Sequence, residues 1–132
     1  MSVVHLEVNS RQRNEFVDIT ASVVSAVGRA GWRDGVVTVF NPHTTAGLTL
    51  NEGADPSVRR DILETLSRLV PLRGDYRHAE GNSDAHVKAT LTGSSVAVPL
   101  EGGRLLLGTW QAIYFCEYDG PRRRQVLVSF TG

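Results

Sequence analysis

His43, His78 and His86 are the residues of this sequence best suited to do chemistry together. Neutral imidazole is the commonest side-chain ligand of zinc, and three protein ligands with an open fourth position mark catalytic sites rather than structural ones. Each of the three falls in a loop or at an element end. His43 follows Asn41-Pro42 and precedes Thr44-Thr45, two hydroxyls able to orient an imidazole or a phosphate. His78 lies in an irregular polar stretch, and His86 in the first turns of a short helix. On one continuous helix the step from His78 to His86 would rise about 12 Å, so the Glu80-Gly81-Asn82 segment must fold back if one ion is to reach both. The spacing matches neither the helical two-histidine pattern of zinc proteases nor a cysteine-histidine finger. The competing reading is that each imidazole simply bonds a backbone carbonyl or solvent. His5, on the polar side of an edge-like strand, is set aside.

Carboxylates able to complete such a site are Glu52, Glu80 and Asp84. Glu52 is the best general-base candidate; equally, it can support the first turn of the helix that follows it through the helix dipole. Arg122, Arg123 and Arg124 follow Asp119-Gly120-Pro121, and strand alternation would put Arg122 and Arg124 on one face, where two guanidiniums suit a phosphate or carboxylate. A solvated charge run is the alternative. The Gly93-Ser94-Ser95 and Gly102-Gly103 turns can offer amides to an anion, but neither is a phosphate-loop signature.

The elements that must position these groups are readable from periodicity. Val4, Leu6 and Val8 alternate with polar neighbours, which predicts a strand. Ile19, Val23, Val27 and Ala30 recur at helical spacing, with Asp18 or Thr20 as cap and Gly31 as stop. Two short strands, Val36 to Phe40 and Gly47 to Leu50, flank His43. Asp55-Pro56 caps a helix whose apolar face is Val58, Ile62, Leu66 and Leu69, ending before Pro71. A loop to Gly81 follows, then a short helix capped by Asn82, Ser83 or Asp84 and stopped by Gly93. Ser94 to Leu100, Arg104 to Tyr118 and Gln125 to Phe130 read as three strands of a closing β meander. Clustered strands favour an α+β fold with a mainly antiparallel sheet over a doubly wound parallel one. The Leu105 to Cys116 strand is apolar on both faces, which points to a second subunit covering part of the sheet.

With 132 residues, 41% of them hydrophobic and 21% charged, the chain is expected to form one domain, residues 1-132, whose core needs no staples. Its 14 basic and 14 acidic residues cancel, so no global field draws it to nucleic acid or an anionic membrane, and any anion site must be local. Cys116 is the only cysteine; it fits a buried small hydrophobe and a reducing compartment. The stretch Met1-Ser2-Val3-Val4-His5-Leu6-Glu7 has no leader pattern, no segment approaches a bilayer span, and a cytoplasmic location is expected.

Taken in order, His43-Thr44-Thr45-Ala46, Asn51-Glu52, Asp55-Pro56, Tyr76 with His78, Glu80-Gly81-Asn82, Ala85-His86-Val87-Lys88, Gly93, Gly108-Thr109-Trp110-Gln111 and Asp119-Gly120-Pro121-Arg122 resemble the YjbQ-like family, also called secondary thiamine-phosphate synthases. The resemblance covers nearly the whole chain. It implies an α+β subunit with a β-sandwich-like core and two to three helices, assembled as a homotrimer, with a site near the subunit boundary. There His43, His78 and His86 would ligate a divalent metal, either zinc-like, as histidines favour, or magnesium, as diphosphates favour. The implied activity joins a pyrimidine diphosphate to a thiazole phosphate with loss of diphosphate. In that scheme His43, His86 and Glu52 are catalytic, and Thr44, Thr45, Asn51, Asn82, Lys88, Arg122 and Arg124 bind the phosphorylated small molecule. Trp110 offers a face to an aromatic ring, and is equally placed for the core. A metal-dependent hydrolase with Glu52 as base, and a non-catalytic binder of a phosphorylated metabolite, are the alternatives.

Overall fold

Apolar alternation builds β1 (Val4–Asn9), and a strand too short to show any period, β2 (Glu15–Asp18), leads into α1 (Thr20–Ala30). Asp18 accepts from the Thr20 backbone and hydroxyl, and Gly31 closes the helix in the left-handed conformation at φ 73°. The strands β3 (Gly35–Phe40) and β4 (Ala46–Glu52) bracket His43. The helix α2 (Pro56–Leu69) starts as Asp55-Pro56 predicts, with the Asp55 carboxylate accepting from the Ser57 N–H at 2.9 Å. After an irregular segment come α3 (Ser83–Thr92), β5 (Ser95–Glu101), β6 (Arg104–Leu105), β7 (Gln111–Glu117) and β8 (Arg123–Thr131). The computed structural model describes residues 3–132; Met1 and Ser2, part of the stretch read for a leader, lie outside the described residues.

All strand pairings are antiparallel and form two sheets, one ordered β1-β8-β3-β5-β6 and the other β2-β7-β4. Val37, Val39, Val126 and Val128 of the larger sheet share one buried cluster with Leu48, Ile113 and Phe115 of the smaller sheet and with Val23 and Val27 of α1. The opposite face of β7 contributes Ala112, Tyr114 and Cys116 to a second cluster, closed by Ile62, Leu63 and Leu66 of α2 and by Ala85 and Ala89 of α3. This is the expected α+β architecture with antiparallel sheets and three helices. No helix among the described residues is long and apolar enough to cross a membrane.

Two expectations are corrected. The stretch Arg104 to Tyr118 is not one strand, because β6 stops after two residues and the chain turns at Gly108, whose N–H is held by the Gln111 side chain at 2.8 Å. The C-terminal strands are not a meander either, since β7 lies in the smaller sheet and β8 between β1 and β3 in the larger. The doubly apolar character of β7 is real, but the chain's own layers cover it, sheet on one side and helices on the other. That pattern therefore no longer argues for a second subunit.

Candidate functional site

The turn between β3 and β4 is built around Asn41, which is 2% exposed. Its Oδ1 accepts from the His43 N–H at 3.0 Å, and its Nδ2 donates to the carbonyls of His43 and Ala46. An Asx turn of this kind fixes the backbone on which His43 and Thr44 are displayed. The His43 Nε2 then reaches β8, lying 3.0 Å from the Gln125 N–H and 3.2 Å from its carbonyl. Burial, and next the charge of Arg124, hold the His43 imidazole below its ordinary range, so it is neutral at pH 7.

A cavity of about 350 Å³ opens beside this ring. His43, Thr44 and Thr45 line it from the turn, Asn82 and His86 from α3, and Arg122 and Arg124 from β8 and the turn before it. Glu80 and Asp119 complete the wall. The His78 ring stands perpendicular to that of His86 with centroids 5.5 Å apart, and its Nε2 is 3.7 Å from Glu80. The His86 imidazole makes no protein hydrogen bond among the described residues.

Behind the cavity lies a buried ionic network. Ile113, Phe115 and Glu117 of β7 point between the sheets, as do Arg124, Val126 and Val128 of β8, so alternation sets Glu117 against Arg124. Arg124 donates to both Glu117 oxygens and, at 2.9 Å, to the Thr45 hydroxyl. Burial pushes the Glu117 carboxyl up, but hydrogen bonds from Arg124, Ser10 and the Asp119 N–H outweigh it and leave it below the ordinary carboxylate range. Asp119 accepts from Arg13, Asn82 and Arg122, and Asp84 pairs with Arg13 and Lys88. Four cations thus face three carboxylates within this network, Asp84, Asp119 and Glu117, and Glu80 on the cavity wall supplies a fourth negative charge outside it. Arg122 carries its charge outward, its side chain 51% exposed and anchored along one edge by Asp119.

Several expected site residues sit elsewhere. Lys88, expected on phosphate oxygens, is 2% exposed, its Nζ spent on Asp84 and Asn14 and set over the Tyr118 ring. Its place on the inner side of α3 makes it part of the core. Asn51, Glu52 and Trp110 lie at the other end of the β4–β7 ladder, where Glu52 pairs with Gln111 while Ala46 pairs with Glu117. Six residues of strand put them about 20 Å from His43 within one chain. The Glu52 carboxylate accepts from the Ala54 and Asp55 N–H groups and shapes the entry to α2, which is the supporting role weighed for it above. Trp110 is 65% exposed on a turn and is not core.

The donors as placed do not fit a three-imidazole metal centre. His43 Nε2 is committed to the backbone of Gln125, and no three His, Cys, Asp or Glu side chains among the described residues are arranged to share an ion. Cys116 is buried, and burial pushes its thiol far up, as expected of a core residue.

Sequence reasoning missed Asn41, Arg13, Glu117, Asp119 and Gln125. Two of these carry a signal: Asn41 precedes Pro42 in a turn context, and Glu117 is a lone charge in the otherwise apolar run Ala112 to Tyr118, which demands a buried partner.

Comparison with known proteins agrees with the fold. The family model for UPF0047 protein YjbQ-like matches residues 4–132. UPF0047 protein MJ1081 of Methanocaldococcus jannaschii is 48% identical over 126 residues, 96% of this chain and 91% of the relative. UPF0047 protein YugU of Bacillus subtilis is 44% identical over 128 residues, 96% of this chain and 97% of the relative. A crystal structure of a YjbQ/UPF0047 family protein from Clostridium acetobutylicum superposes with a TM-score of 0.95 at 52% identity, covering 97% of this chain and 99% of that one. The hypothetical protein APE1520 of Aeropyrum pernix K1 also gives 0.95, at 37% identity, covering 100% and 99%. Sequence identity, superposition and the family match over residues 4–132 converge: this protein belongs to the YjbQ-like UPF0047 family.

Proposed function

We propose that the cavity beside His43 binds the phosphate of a small phosphorylated metabolite, and that the chain is a transferase of the thiamine-phosphate-synthase kind suggested by its sequence resemblance. The observation that carries this reading is the meeting of Arg122, Thr44 and the imidazoles of His43 and His86 on one cavity, with the Arg122 side chain half exposed there. Such a wall favours an anion and supplies directional donors to it. In the proposed reaction the thiazole nitrogen bonds to the pyrimidine methylene carbon while that carbon's bond to the diphosphate oxygen breaks, the electron pair leaving with diphosphate. Arg122 would hold the departing oxygens, and the hydroxyls of Thr44 and Thr45 would orient them. The metal implied by the resemblance takes no step here, because the imidazoles do not form its centre.

The hydrolase alternative asks Glu52 to act as base beside the histidines, and Glu52 lies at the far end of β4. The experiment is to mix the two phosphorylated substrates with purified protein and measure thiamine phosphate. Product should form, and Arg122→Ala should lower the rate by about 100-fold, the scale of one lost transition-state donor. No product above the His43→Ala background would end the transferase reading. Phosphate binding that persisted without product would leave the non-catalytic binder.

A further inference from the structure

We infer that His43 takes part in ligand recognition as a neutral donor from Nδ1, its proton placed there by the backbone of Gln125, and not as a base or metal ligand through Nε2. The inference rests on the phosphate reading of the cavity and specifies the chemistry of its ligand. The strand β3 ends at Phe40, which pairs with Leu127; two residues back along β8, the ring of His43 fills the place where the second residue beyond the end of β3 would pair with Gln125. The Gln125 amide hydrogen is fixed by the strand and aimed at Nε2 over 3.0 Å. A proton on Nε2 would set one N–H against another. Nε2 therefore presents its lone pair, and a neutral imidazole with one bare nitrogen carries its proton on the other. The neighbouring carbonyl at 3.2 Å does not reverse this, since a carbonyl accommodates other donors whereas the amide N–H has one direction.

The Gln125 N–H holds Nε2 toward β8, and Asn41 fixes the backbone from which the ring projects. Nδ1 makes no hydrogen bond among the described residues, and the ring borders the cavity beside Thr44 and Arg122. Nδ1–H, the Thr44 hydroxyl and the Arg122 guanidinium can all donate, so the group that matches these three is one that accepts, a phosphate oxygen set, while Glu80 and the unpartnered Asn82 Oδ1 on the same cavity are left to accept from another part of the ligand. Recognition on this wall is for an anion in its deprotonated form.

Two measurements test this. Long-range proton–nitrogen NMR on 15N-histidine-labelled protein at neutral pH should show His43 protonated on Nδ1 and bare on Nε2; the opposite tautomer would overturn the inference whatever the ligand does. Calorimetric titration with inorganic phosphate should then separate two variants. His43→Asn places an amide N–H near the position of Nδ1 and should bind phosphate almost as wild type does. His43→Gln carries its amide out to the position of Nε2, where its oxygen can accept from Gln125, and should bind at least about tenfold more weakly for want of one charge-assisted hydrogen bond. Equal losses in both, or a better Gln variant, would contradict it. Wild-type protein that bound no phosphate would overturn the phosphate reading and with it the ligand half of the inference, while the spectrum decides the tautomer independently.

Discussion

Glu117 and Arg124 show how a single pair of residues ties the stability of the fold to the shape of the site. The carboxylate is 0% exposed and Arg124 4%, yet Arg124 also holds the Thr45 hydroxyl on the cavity wall and lowers the basicity of His43. Removing one partner of such a pair leaves a buried, uncompensated charge. Glu117→Gln should therefore cost about 3–5 kcal/mol in urea unfolding, whereas Glu117→Met combined with Arg124→Met should cost less than the sum of the two single changes. The pH dependence has a definite sign. The folded-state pKa of Glu117 lies below its ordinary value of 4.5, so the pair's contribution is fully present above that value and disappears as pH falls through the folded-state pKa. Wild-type stability should fall more steeply on acidification below pH ~4.5 than that of the Gln variant; parallel acid curves would remove Glu117 from this role.

At the scale of elements, the site depends on α3 sitting close against β4. Gly47 makes that approach possible: a Cβ there would stand 2.8 Å from the Thr92 Cβ and 2.9 Å from the Gly93 carbonyl, and the Leu48 N–H donates to that same carbonyl at 3.1 Å. Gly47→Ala must push the end of α3 outward, and α3 carries His86 and Asn82. A loss of about 1–3 kcal/mol in thermal unfolding is expected, with phosphate affinity falling as well; an unchanged melting curve would show that β4 and α3 have slack between them. The elements themselves were largely legible in the sequence. All three helices were expected, and Asp55-Pro56, Gly31 and Gly93 act locally at their ends; the starts of α1 and α3 differ from expectation, since their N-cap residues, Ile19 and Asn82, make no side-chain cap bond and Asn82 is turned to Asp119 instead. What escaped was tertiary in origin. The strand β2 has only Phe16 and Val17 as apolar residues and exists by pairing with β7. The break at Gly108 depends on the reach of a Gln111 side chain, and the assignment of β7 and β8 to different sheets depends on pairing that alternation does not encode. Of the candidate site residues, His43, Thr44, Thr45, Asn82, His86, Arg122 and Arg124 line one cavity, since turns and helix starts place them there. Lys88 and Glu52 did not join them: a lysine on the inner side of a helix and a glutamate shaping the entry to the next helix have local roles that residue type alone does not reveal.

For the whole molecule, the resemblance implies a homotrimer, and within one chain the cavity is separated from the Glu52–Trp110 turn by the length of β4. Leu69, Leu91, Leu106 and Trp110 are each more than half exposed, which is apolar surface that a neighbouring copy would remove from water. We propose that the trimer is the working form. Sedimentation equilibrium should return three times the chain mass of 14.4 kDa, and a monomer at micromolar concentration would exclude it. The claim on which the rest stands is narrower, namely that the chain recognises phosphate at the wall formed by His43, Thr44 and Arg122. A crystal structure with a phosphorylated ligand tests it most directly. The expected result is a phosphate group within hydrogen-bond distance of Arg122 and of Nδ1 of His43, with Asp119 still holding the other edge of the arginine. A phosphate bound instead at the Glu52–Trp110 turn, with the His43 cavity filled by water, would contradict the account.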